Sequence, residues 1–424
     1  MSDDARFTTS FDGEDARHRL ASVVFGDRIG LAAFLASLCL FTVLWIVAWR
    51  INDSLTLMNT LAGMSDGHLH IVDVKYGESA ITPGTHKLGD QVFGRNYGIL
   101  TVSLVPLVLF EALSIVADLR IAIAGLFSMG VLALALVIGT ILDRRRQGAI
   151  GGCIVALVLF VGNVAVATDI DPTSTELYAL QVTHMIAAAL VVVVSYRLLA
   201  TLHGRRAGLF AAALITLATP LGLWATVPKR HVFTALLAVG LAFLLYRSRV
   251  LDRTADRSGL RHRAGAYAAI GLFAWVHAPE ALLILLVYAA VDLPTARNDL
   301  RSLATIAVAM GVATIPFLLT NYLLSGSPVK PPRMLPEVGP STGGPSFSGG
   351  GVGGGSGLFA PILDVIDPML TPLLTLFELF HQSLNNLVYQ PGEIWNTFVR
   401  SGYLEGSAEL ANYESVNLTI LESA

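Results

Sequence analysis

Long apolar runs separated by short charged segments set the pattern of this chain. Uncharged stretches at Ile29–Trp49, Ile121–Leu142, Gly148–Thr168, Ala207–Val227 and Ser302–Ser325 match the length of about 20 mostly apolar residues that a membrane-crossing helix needs. Leu177–Tyr196 joins them, interrupted only by Gln181 and His184, and Val232–Tyr246 is a shorter run of the same kind. Two further runs, 13 apolar residues at Ala264–Val276 and 11 at Ala281–Val291, are separated by "HAPE", His277–Glu280. Each is short for a span. The polar break predicts two short helices meeting near one membrane face rather than one long span. A single span would place everything after it on the other side.

Composition agrees with the pattern. The chain is 54% hydrophobic and 14% charged, with a mean hydropathy of +0.65, against about 25% charged residues in soluble domains. The fold class is therefore all-α: a polytopic membrane protein with about nine transmembrane helices. The first run, at 21 residues and behind a 28-residue polar leader, is too long for a signal h-region of about 7–15 residues. It is read as a retained span. Two cysteines, Cys39 and Cys153, both inside apolar runs, make no disulfide framework. A net charge of −3 gives no nucleic-acid signal. Of the 28 basic residues 24 are arginine, the habit of GC-rich prokaryotic genomes, archaeal or bacterial.

Arginine placement predicts orientation by the positive-inside rule. Arg144–Arg146, the group Arg197, Arg205 and Arg206, and six arginines from Arg247 to Arg263 fall on one side if the spans alternate in order. That side is cytoplasmic, the membrane is the plasma membrane, and residues 1–28 form a cytoplasmic leader. The first span then runs outward, and an outer loop occupies residues 51–120. Within it, Asn96–Asp118 is apolar but cannot cross without reversing Arg144–Arg146. It is read as an interfacial helix, which Pro106 and Glu111 suit. The core domain covers 29–325. Residues 326–357 are a Gly/Pro-rich external linker, with ten glycines from Gly339 to Gly357 and no phosphate-loop motif. Residues 358–424 are read as external interfacial helices and a tail. Their end, "SVNLTILESA", is read as a chain cut short of further spans.

The polar residues of interest gather at the outer ends of spans. Asp53, Asp66, His68, His70, Asp73 and Glu78 lie in the opening loop; Asp169, Asp171 and Glu176 precede one span; Lys229, Arg230 and His231 precede another; His277 and Glu280 lie in the break. Carboxylates and cations at one membrane face suit an anionic lipid-linked group together with a proton acceptor. Each has a plainer reading. Asp53 before "LTLMNTLAGM" suits a helix N-cap. His68 and His70, with Asp66 or Asp73, can ligate a divalent metal but also suit a solvated loop. No other cofactor is implied. Lys229–His231 break the positive-inside pattern, and snorkelling accounts for them equally. His277 and Glu280 suit an ordinary polar turn, and His184 a satisfied buried histidine.

The order of "NDSLTLMNTLAGMSDGHL", "ATPLGLWATVPKRH", "GLFAWVHAPEALLIL" and "NYLLSGSPVKPP" resembles the polytopic GT-C glycosyltransferases, notably the protein O-mannosyltransferase and aminoarabinose-transferase group, over residues 29–330. The matching points are Asp53 with Gly67, Thr219–Pro220, Ala278–Pro279–Glu280, and Asn321 with Gly326–Ser327–Pro328. Two positions depart: Ser54 stands where the family carries a second acid, and Ala278 where it carries arginine. The resemblance implies a GT-C-like fold and transfer of a sugar from a polyprenyl-phosphate donor to an unknown acceptor hydroxyl at the outer face of the bilayer. Asp53 is then the candidate base for an inverting displacement, with Asp66 and Glu78 as fallback acids. Lys229, Arg230, His231 and Arg95 are candidate ligands of the donor phosphate, and His277 and Glu280 candidate substrate contacts.

Two other classes compete. A transporter or flippase would carry an internal repeat and midplane ionisable groups; no clear repeat is visible, and His184 is the exception within the spans. A non-catalytic GT-C-like scaffold would explain Ser54 and Ala278.

Overall fold

The computed structural model describes residues 22–45, 47, 53–166, 171–253 and 258–332. The leader up to residue 21, Asp169, most of the glycine-rich linker and the tail at 358–424 lie outside the described residues. The helices are α1 (Arg28–Val43), α2 (Asp53–Ser65), α3 (Tyr97–Val116), α4 (Leu119–Ile141), α5 (Arg145–Val166), α6 (Thr175–His203), α7 (Arg205–Ala218), α8 (Leu221–Thr226), α9 (His231–Arg253), α10 (Ser258–Thr295) and α11 (Leu300–Ser325). Seven of them, α3 to α6 and α9 to α11, are long and apolar enough to cross a membrane. The chain is an all-α polytopic membrane protein. A small antiparallel hairpin, β1 (His86–Leu88) with β2 (Gln91–Phe93), pairs His86 with Phe93.

The bundle has an arginine-rich end and an arginine-poor end, and cross-helix bonds fix which residues share each. At the first, Asp27 caps α1 through Gly30 N–H (2.8 Å) and accepts from Tyr196 Oη of α6 (3.0 Å), while Arg197 Nη1 donates to Val24 O (2.8 Å). At the second, Trp45 Nε1 donates to Gln181 Oε1 of α6 (2.7 Å). Helices α1 and α6 are therefore antiparallel neighbours. Helix α6 is the hub: it packs against α1, α3, α7, α8 and α9, and most of its residues are buried.

The break at His277 makes α10 a helical hairpin. His277 has non-helical dihedrals (φ −158°, ψ 95°), and two residues on Pro279 lacks the N–H of a continuous helix. The arms fold back so that Tyr267 stacks edge-on against Tyr288 (5.4 Å) and Arg263 Nε meets Asp292 Oδ2 (2.7 Å). This matches two short helices rather than one span. The expected span 207–227 is instead divided into α7 and α8. Thr219, ahead of Pro220, is extended (φ −120°, ψ 159°), as a residue before proline tends to be. The first apolar run is helical over Arg28–Val43, 16 residues.

Helix α3 stays against the arginine-poor end along its length. Tyr97 Oη at its start donates to Leu69 O of the preceding loop (2.7 Å). Glu111, about 21 Å further along the axis at 1.5 Å per residue, still lies within electrostatic reach of Lys75, Asp66 and Glu176. Ile99, Leu100, Leu107 and Phe110 share one core cluster with Leu177–Leu180, from the first turns of α6, and Leu324, near the end of α11. By length and apolarity alone, α3 is like the spanning helices.

Helices α4 and α5 form a second hairpin, closed where Gly139 meets Gly148. A Cβ on Gly148 would lie 2.8 Å from Gly139 Cα and 2.9 Å from Ala135 O. Backbone cannot yield as a side-chain tip can, so Gly148→Val is expected to cost about 1–3 kcal/mol. Thermal unfolding of the detergent-solubilised protein checks it; an unchanged transition contradicts the close approach.

Candidate functional site

The turn between α8 and α9 is built on α6. Gln181 Nε2 donates to Thr226 O (2.8 Å), the last residue of α8. One turn on, the fully buried His184 donates from Nδ1 to Leu180 O (2.7 Å) and sets its ring edge-on against Phe233 of α9 (5.1 Å). These contacts place Lys229, Arg230 and His231 at the N-terminus of α9. A helix N-terminus carries partial positive charge, so three basic-type side chains there oppose the dipole. The arrangement favours an anion nearby.

One anion is internal. Glu280, just past the α10 kink, accepts from Arg230 Nε through Oε1 (2.6 Å) and from Thr234 Oγ1 through Oε2 (2.8 Å). Its backbone N–H donates to His277 Nδ1 (3.3 Å), and the same ring nitrogen lies 3.7 Å from Oε1. Because Nδ1 accepts, the neutral His277 ring carries its proton on Nε2. Arg230 and Glu280 are each about one quarter exposed (26% and 24%), and His277 is buried. Only Nε of the guanidinium is held by the carboxylate. Among the described contacts, both Nη groups remain for a second oxyanion, in the forked geometry that suits phosphate.

Of the residues singled out in the sequence, the structure gathers Arg230, His277 and Glu280, with Thr234 added. His231 stands beside them, exposed, its ring 5.0 Å from Trp224 and within electrostatic reach of Arg230, Lys229 and Glu280. Asp53 is the first residue of α2; its side chain lies outside what is described. Asp66 and Glu78 are exposed loop residues. Arg95 is half-buried and packs its guanidinium against Gly84 within the loop. His68 and His70 have ring centroids 5.3 Å apart. Among the described residues, no group of three or more His, Cys, Asp or Glu is placed to hold a metal ion.

A second charged cluster at the same end joins Glu176, singled out in the sequence, to Lys75, Tyr76 and Asn59, which were not. Glu176, 3% exposed in the first turn of α6, accepts from Lys75 Nζ through both oxygens (2.8 Å each) and from Tyr76 Oη. Burial and then the Glu176 carboxylate push the Tyr76 phenol well above its ordinary range. Asn59 of α2, fully buried, fixes the loop: its Oδ1 accepts from the N–H groups of Lys75 (3.1 Å) and Tyr76 (2.9 Å), and its Nδ2 donates to Tyr76 O (2.9 Å). Asp171 leads into α6, its carboxyl held below the usual range by hydrogen bonds from Thr173 and Ser174. The place of Glu176 at the start of an apolar span is its local signal; Lys75 and Tyr76 carry none.

Comparison with protein families, with characterised proteins and with solved structures finds no match to this chain.

Proposed function

We propose that this membrane protein is a glycosyltransferase that moves a sugar from a polyprenyl-phosphate donor to an acceptor hydroxyl at the arginine-poor end, which faces outward. The observation that carries the reading is Arg230, held by Glu280 through Nε alone, with Thr234 and His277 completing the cluster and Lys229 and His231 alongside. The donor phosphate is held in the bilayer by its lipid and approaches this end laterally. It receives the Nη edge of Arg230. As the acceptor oxygen attacks the anomeric carbon, Asp53 takes its proton. The bond from that carbon to the phosphate oxygen breaks with inversion, and the phosphate leaves with its charge facing the arginine. Preorganised cations act where that charge develops. The resemblance to GT-C enzymes adds the reaction class; the cluster adds the residues.

Transfer of radiolabelled sugar from the donor pool, in membranes holding equal amounts of wild type and Arg230→Gln, tests the reading. Loss of one positioned charge at a leaving group is expected to lower kcat about 10²–10³-fold. Undiminished transfer by Arg230→Gln removes the arginine from the site. No transfer by wild type, in membranes shown to contain donor and acceptor, removes glycosyl transfer itself.

A further inference from the structure

The Glu176 cluster invites the role of general base, and its geometry argues against that role. Both carboxylate oxygens are occupied by Lys75 Nζ at 2.8 Å, one also by Tyr76 Oη, and the side chain is 4% exposed. A base must reach the proton that it takes. What the cluster does is join three segments. Asn59 belongs to α2, Lys75 and Tyr76 to the loop, and Glu176 to α6. Helices α2 and α6 touch directly at few points, and the loop residues bridge them. Helix α2 opens with Asp53, six residues before Asn59, about 9 Å along the axis.

We infer that Glu176 is a positioning residue: through Lys75, Tyr76 and Asn59 it fixes α2, and with it Asp53, against α6. Helix α6 is the same helix that holds the Lys229–His231 turn, through Gln181 and His184. The strut therefore sets the distance between the carboxylate that takes the acceptor proton and the cations that receive the donor phosphate. A carboxylate misplaced by about 1 Å can cost on the order of 10²-fold in rate.

The inference rests on the proposed transfer reaction, and its test separates the two. Glu176→Gln, Lys75→Met, Lys75→Arg and the exchanged pair Lys75→Glu with Glu176→Lys are assayed in membranes for kcat and for KM of the polyprenyl-phosphate donor. Hydrogen exchange of the α2 amides is followed in the solubilised proteins. Glu176→Gln and Lys75→Met are expected to lower kcat about 10–100-fold, with KM for the donor within about twofold because Arg230 is untouched, and to speed exchange across residues 53–65. Lys75→Arg keeps the ion pair and should restore both readings. So should the exchanged pair; should that variant not fold, Lys75→Arg against Lys75→Met decides. Wild-type kcat in Glu176→Gln, or a fall with Lys75→Arg equal to that with Lys75→Met, overturns the inference. If wild type transfers nothing, the transfer reading fails and exchange alone decides the strut. Faster α2 exchange in Glu176→Gln and Lys75→Met, restored in Lys75→Arg, keeps it; unchanged exchange overturns it.

Discussion

Replacing Asp53 by Asn is expected to lower sugar transfer about 10²–10⁴-fold, the usual contribution of a general base, with the amount of protein unchanged. The choice of Asn matters. Asp53 is the first residue of α2, and a carboxylate in a first turn favours the positive end of the helix dipole. Asn keeps the size and polarity of Asp. A variant that loses only the ionisable oxygen isolates the chemistry. Asp53→Ala removes the whole polar group, so a fall with Ala alone would assign the residue a structural part at the helix start. Equal transfer by wild type and Asp53→Asn would end the base assignment and turn attention to Asp66 or Glu78. The measurement is initial rate at saturating donor, since a base acts on kcat rather than on donor binding.

Asp292→Asn is expected to destabilise the protein by about 3–5 kcal/mol, the cost of leaving a buried charge uncompensated. Asp292 is fully buried in the second arm of α10. It accepts from Arg249 Nη2 of α9 (2.7 Å), from Arg263 Nε of the first arm (2.7 Å) and from Tyr267 Oη (3.0 Å). Arg263 is 3% exposed at its side chain and also donates to Arg297 O and Asn298 Oδ1. Asparagine fits the space but offers no charge to two arginines. The cluster is specific rather than strongly stabilising, because desolvation of its charges offsets their attraction. Arg249→Met, Arg263→Met and Asp292→Leu together should therefore recover most of the stability that Asp292→Asn loses. Thermal unfolding in detergent reads both variants. A transition in Asp292→Asn at the wild-type temperature would contradict the burial of the pair.

Most of the long apolar helices, and the arginine-rich and arginine-poor ends of the bundle, were legible because hydrophobic length and arginine placement act locally; the first run and residues 207–227 gave shorter helices than expected. The hairpin at "HAPE" was legible because a polar break in an apolar stretch has few other solutions, and Arg230 because cations at a helix start are unusual; its pairing with Glu280, 50 residues on, was not. Helix α2 was less so. Ser54, Thr56, Asn59 and Thr60 are as buried as Leu57, Met58 and Leu61, so no apolar period marks a face; Thr56 and Asn59 bond to the loop that folds over them, and Thr60 bonds back to Thr56 O within the helix. The Lys75–Glu176 pair joins residues 101 apart in sequence, and nothing local announces a partner at that distance. Asp292 stood one residue beyond the apolar run ending at Val291 and read as its boundary, whereas the helix continues to Thr295. Thr219–Pro220 stands out as a motif in the sequence, and the structure adds its effect, the break between α7 and α8.

The two arms of α10 have a consequence for biogenesis. Arg263 and Asp292 sit near the open ends of the hairpin and meet only when both arms are in place. A ribosome delivers α9 first, then one arm, then the other. The first arm thus leaves the translocon carrying an uncompensated arginine at the arginine-rich end of the bundle, where its side chain can reach water. The second arm brings the neutralising carboxylate. Arg249 is already waiting on α9, so the finished hairpin has a docking partner as soon as it closes. The charges of this region are therefore balanced only once the second arm has been made.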